Sequence, residues 1–162
     1  MRILVVEDDA SLADLVKALL KNWGYEAQHC TRGKDAVRMF IMNPHDLVLM
    51  EVLLPDMKGE ELISRLKEIS PKIWIVAMTG NNSREMEVRI REQGILYYMV
   101  KPFEAENFRS LLEHLTKKST GVPKWTGKKP SPLKKGYPLK HDKNHGGDNH
   151  ERYTRYGPST RS

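Results

Sequence analysis

The sequence predicts an α/β fold: a five-stranded parallel sheet, five helices on its two faces, and a disordered C-terminal tail. Three observations predict it. Short continuous apolar runs rich in β-formers recur along the first 100 residues, and unbroken runs are what strands buried on both faces of a parallel sheet require. Between the runs, apolar residues repeat at helical spacing, and such alternation implies right-handed crossovers with helices on both faces. After Lys118 both periods stop.

Taken in order, Ile3-Leu4-Val5-Val6 reads as the first strand. Leu12, Leu15, Val16, Leu19 and Leu20 then fall on one helical face, with Gly24 as the stop. The weaker, more polar run Tyr25–Cys30 suits an edge strand. Val37, Phe40 and Ile41 mark a second helix, ended before Pro44. Leu47–Met50 is the next strand, and Leu62, Ile63, Leu66 and Ile69 mark the third helix, with Pro71 beyond it. Ile73–Met78 is the fourth strand. Met86 and Ile90 mark a fourth helix, for which Asn82 is the expected cap with Glu85 reaching back. Ile95–Val100 is the fifth strand, and Phe108, Leu111, Leu112 and Leu115 mark the last helix. Residues 1–118 are therefore expected to form one domain and residues 119–162 a tail.

Charge follows the same boundary. The formal net charge of +6 divides into −1 for residues 1–118 (17 basic, 18 acidic) and +7 for residues 119–162 (10 basic, 3 acidic). A basic nucleic-acid-binding domain is not what this balance describes. The longest apolar runs are six residues, far short of a membrane span. The N-terminus has no signal-peptide pattern, and the single Cys30 permits neither an intrachain disulfide nor a cysteine cluster. A cytoplasmic location is the expectation. Trp23, Trp74, Met39, Met78, Met86 and Met99 are expected to pack rather than bind.

In an open parallel sheet the functional crevice lies beyond the carboxyl ends of the strands. There the sequence delivers Glu7-Asp8-Asp9, Glu51, Thr79-Gly80 and Lys101-Pro102. Carboxylates converging from neighbouring strands repel one another unless a cation sits among them, and hard oxygen ligands suit Mg²⁺. A hydroxyl and an ammonium beside them are the groups that hold a phosphoryl.

On ILVVEDD, DLVLMEVLLPDMKGEEL, IVAMTGN and YYMVKPF, the chain resembles the response-regulator receiver domains of two-component signalling. The resemblance implies strand order 2-1-3-4-5. It places Glu7 and Asp8 at the Mg²⁺-binding acidic pair and Glu51 at the phosphoacceptor position, which also contributes to the metal site. Thr79 falls at the switch hydroxyl, Lys101 at the phosphoryl-pairing lysine and Tyr98 at the rotameric switch. Pro55 and Gly59 match the loop after the third strand, and a cis peptide is implied before Pro102. The implied partners are a histidine kinase or a downstream signalling protein, met through the face built from helix 4, strand 5 and helix 5.

The central position departs from the family, which uses Asp where this chain has Glu51. Its carboxylate stands about 1 Å from where in-line attack requires it, and misplacement of that order costs about a hundredfold in rate. Asp56 follows Pro55 in a loop and is no substitute. The expectation is a divergent, non-enzymatic receiver with no folded output domain. It signals by contact with little or no phosphorylation, with Mg²⁺ binding weakened or lost. Two alternatives stand beside it. One is a working phosphoreceiver; the other is a nucleic-acid or anionic-surface binder acting through the tail, where lysine pairs at 128–129 and 134–135 interleave with Trp125, Tyr137, Tyr153 and Tyr156. His141, His145 and His150 are too irregularly spaced to favour a metal site.

Overall fold

Five strands pair in parallel: β1 (Arg2–Val6), β2 (Glu26–Cys30), β3 (Leu47–Glu51), β4 (Trp74–Thr79) and β5 (Tyr97–Val100), in the order β2-β1-β3-β4-β5. The helices are α1 (Ala10–Asn22), α2 (Gly33–Met42), α3 (Gly59–Ile69), α4 (Arg84–Glu92) and α5 (Ala105–Lys118). This computed structural model describes residues 1–118, with the backbone alone at Lys118. The expectations for the tail at 119–162, including nucleic-acid binding and the histidine cluster, lie outside the described residues.

The unbroken apolar strands bury both faces. Leu4, Val6, Val48, Met50, Ile75 and Ala77 pack on one side with Phe40 of α2, Leu62, Ile63 and Leu66 of α3, and Ile90 of α4. Ile3, Val5, Leu47, Leu49, Val76 and Met78 pack on the other with Val16 and Leu20 of α1 and Phe108, Leu112 and Leu115 of α5. Each fully buried aliphatic side chain contributes about 1.5–3 kcal/mol before the entropy of ordering is subtracted. β2, paired only with β1, alternates in exposure, as its polar sequence suggested. Trp23 packs edge-on against Phe108, with ring centroids 5.6 Å apart.

Three local expectations are corrected. Leu15 and Ile41 were placed on buried helix faces, yet they are 56% and 41% exposed. The inward stripes of α1 and α2 are completed by the small Ala13 and Ala36, which leaves those neighbours at the margin. β5 begins at Tyr97 rather than Ile95, because Gly94 turns the chain at φ +70° and pairing with β4 starts at Val76 opposite Tyr97. The cap of α4 is Ser83, whose Oγ accepts the Met86 N–H at 3.2 Å; Asn82 is occupied elsewhere.

The loop from β3 to α3 folds back on itself. A Cβ on Gly59 would stand 2.8 Å from the Val52 carbonyl oxygen, so only glycine lets α3 start that close to the strand end.

Candidate functional site

The sheet brings three charged side chains to one point. Glu7 follows the last residue of β1, and its backbone N–H donates to the Cys30 carbonyl at 3.0 Å, which holds the strand end against β2. Glu51 is the last residue of β3. Lys101 follows β5, and its backbone N–H donates to the Thr79 carbonyl at 2.9 Å. The peptide between Lys101 and Pro102 is cis.

At that point Lys101 Nζ donates to Glu7 Oε2 at 2.6 Å and to Glu51 Oε2 at 2.7 Å. Glu7 is 1% exposed and Glu51 6% exposed. Removing carboxylates from water costs several kcal/mol each unless their charge and lone pairs are met. The remaining oxygens are met by the backbone. The Leu53 N–H donates to Glu51 Oε1 at 2.9 Å, and the Asp9 N–H donates to Glu7 Oε1 at 3.2 Å. Burial acts to lower the ammonium's pKa, but the hydrogen bonds to Glu51 and then Glu7 outweigh it, so Lys101 lies above its ordinary value.

The other residues singled out in the sequence stand apart from this contact. Asp8 is exposed. Thr79 is fully buried, and its Oγ is turned to Asn81, accepting that residue's N–H at 3.2 Å and donating to its carbonyl at 3.5 Å. Tyr98 is buried, with its hydroxyl donating to Asn82 Oδ1 at 3.0 Å and the Arg91 guanidinium 5.6 Å from its ring centroid. Burial raises its pKa, followed by the charges of Glu87 and Glu51, with Arg91 opposing.

Glu7, Asp8 and Glu51 are the residues that would hold the Mg²⁺ the resemblance implies. Carboxylate oxygens are the right chemistry. In this arrangement the Lys101 ammonium bridges the two buried carboxylates, Glu7 and Glu51. Among the described residues no group of three His, Cys, Asp or Glu is placed to hold a metal ion.

Four participants gave no usable sequence signal. The Leu53 and Asp9 amides are backbone groups, invisible in side-chain chemistry. His29 Nε2 lies 2.8 Å from the Glu7 carbonyl oxygen and braces the strand end from β2. Asp56 accepts the Gly33 N–H at 2.8 Å and the Lys34 N–H at 3.0 Å, capping α2 from the β3–α3 loop because Arg32 provides no side-chain cap. Its position after Pro55 marked a turn but not its target.

Comparisons with known proteins identify the family and the fold. The family described as the response regulator receiver domain matches residues 3–113. The transcriptional regulatory protein ZraR of Escherichia coli is 34% identical over 111 residues, covering 68% of this chain and 25% of that protein. The transcriptional regulatory protein DltR of Streptococcus agalactiae is 31% identical over 120 residues, covering 74% of this chain and 54% of that one. The chain thus spans a quarter to about half the length of these two curated relatives. A CheY-like receiver domain from Methanospirillum hungatei superposes with a TM-score of 0.65 at 31% identity, covering 72% of this chain and 91% of that one.

Proposed function

The chain belongs to the response regulator receiver domain family, and we propose that it is a divergent receiver in which Glu51 stands at the phosphoacceptor position and takes up little or no phosphate. The observation that carries this reading is the occupancy of Glu51. Both its oxygens are already engaged, one with the Leu53 amide and one with the Lys101 ammonium. In-line attack on a phosphodonor needs a free carboxylate oxygen at the right distance, and the longer side chain spends its reach on these two donors instead.

The same contacts make Glu51 a partial mimic of a phosphorylated acid. It offers one charge on two oxygens, where an acyl phosphate carries nearly two charges on three. It reaches Lys101 and does not draw Thr79, whose hydroxyl stays with Asn81. Lys101 supplies the countercharge that Mg²⁺ would otherwise supply, so metal binding is weakened. Signalling then runs through contact with a histidine kinase or downstream protein at the face of α4, β5 and α5. Val88, Tyr97 and Val100 are exposed on these elements, and among the described residues no helix is long and apolar enough to cross a membrane.

Incubating the full chain with acetyl phosphate and Mg²⁺, followed by intact mass measurement, tests this reading. The expected result is an unchanged mass. A stable, Mg²⁺-dependent gain of one phosphoryl group would establish the working phosphoreceiver in its place.

A further inference from the structure

On the reading of Glu51 as an occupied acid, we propose that Asp56 is a positioning residue for that site. By latching the β3–α3 loop onto the start of α2, it holds the Leu53 amide on the Glu51 carboxylate. Nothing within β3 places that amide. Leu53 lies beyond the strand and its side chain is exposed, yet its N–H donates to Glu51 Oε1 at 2.9 Å. Exposed loop segments open locally at low free energy unless they are tied to something firmer.

Contacts at the base and the tip of the loop give it its shape. Leu53 pairs with Lys58 as a short antiparallel bridge, which closes residues 54–57 into a turn. From within that turn Asp56 reaches to α2, where Oδ1 accepts the Gly33 N–H at 2.8 Å and Oδ2 the Lys34 N–H at 3.0 Å. Met57, the next residue, is buried and lies so close to α2 that a Cβ on Gly33 would stand 2.5 Å from its sulfur.

The Asp56 carboxylate suits its target. The first amides of a helix have no partner within it, and Arg32 at the cap position offers no side-chain acceptor. A negative charge is favoured at that end of a helix, and each oxygen takes one amide, which fixes direction as well as distance. The two bonds span 22 and 23 residues of sequence, so they tie the loop to another element rather than to itself. The support runs in one line: α2 holds the turn, the turn holds the Leu53 amide, and the amide holds Glu51 Oε1. Lys101 holds the other oxygen.

Asp56→Ala in the full chain, followed by NMR, tests the latch. The Gly33, Lys34 and Leu53 amides should each exchange about tenfold faster, and the carboxylate carbon resonance of Glu51 should shift. The Asp9 amide, which donates to Glu7 Oε1 in the same pocket, should stay within about twofold. Faster exchange confined to Gly33 and Lys34 would overturn the proposal, since Asp56 would then be a helix cap alone. So would equal acceleration at every amide, Asp9 included, or a Glu51 carboxylate resonance that does not move. A parent chain that gains a phosphoryl group sinks the occupied-acid reading whatever these amides do, whereas an unmoved Leu53 sinks the latch alone. The two failures are therefore distinguishable.

Discussion

The strand-end pocket and the α4 region both hold polar groups at the border of one sheet, but by different means. In the pocket two buried carboxylates and one ammonium satisfy one another, with backbone amides taking the remaining oxygens. Around α4 the polar contacts are spread over Lys67, Arg89, Arg91, Asn82 and Ser83, and a single side chain of the helix is fully buried. A buried pocket of two carboxylates on one ammonium, net −1, is costly to disturb because removing the cation leaves both charges unpaired. A helix held by several modest contacts yields stepwise. The pocket is held by buried charge, and α4 by dispersed contacts at the surface.

Breaking the pocket should have the largest effect. Lys101→Met leaves Glu7 and Glu51 buried without a cation, and the expected loss of stability is about 3–5 kcal/mol in urea unfolding. Adding Glu51→Gln to that variant should recover part of the loss by removing one uncompensated charge. A loss below about 1 kcal/mol for Lys101→Met would show that the carboxylates are not held as the pocket requires.

A contact of α4 should cost less. Ser83→Ala removes the side-chain cap, with an expected loss of about 1 kcal/mol. Faster hydrogen exchange confined to α4 would sharpen the contrast; a spread into β1 or β3 would erase it.

The smallest effects appear with pH. The folded-state pKa of Lys101 is raised, so its contribution is complete below the unfolded value of 10.5 and is lost as pH rises through the folded value. Tyr98 is raised above 10.0 by burial, and ionisation of the unfolded chain opposes folding above that pH. Neither group should tilt stability across the neutral range, and both should erode it in strong alkali. Urea midpoints measured from neutral to alkaline pH should therefore be flat and then fall. Lys101→Met should remove more of the fall than Tyr98→Phe.

Much of this was legible in the sequence, for particular physical reasons. Runs such as Leu47–Met50 carry no alternation because both faces of β3 are buried, so the parallel sheet is written in the pattern itself. Glu7, Glu51 and Lys101 were legible because strand ends in such a sheet converge on one crevice. Less legible were contacts whose partner is a backbone group or lies far along the chain. Asp56 capping α2, Leu53 holding Glu51 and Lys67 capping α4 depend on tertiary placement that no local period encodes. Asn82 and Ser83 are both good cap residues, and local propensity could not reveal that Tyr98 would claim Asn82.

Both oxygens of the Glu51 carboxylate are engaged, by the Leu53 amide and the Lys101 ammonium, and the proposed lack of phosphorylation rests on that. The most direct test treats the parent chain and Glu51→Asp side by side with acetyl phosphate and Mg²⁺ and measures both intact masses. The account predicts one added phosphoryl group on Glu51→Asp and none on the parent. Phosphorylation of the parent to the same extent as the variant would contradict it.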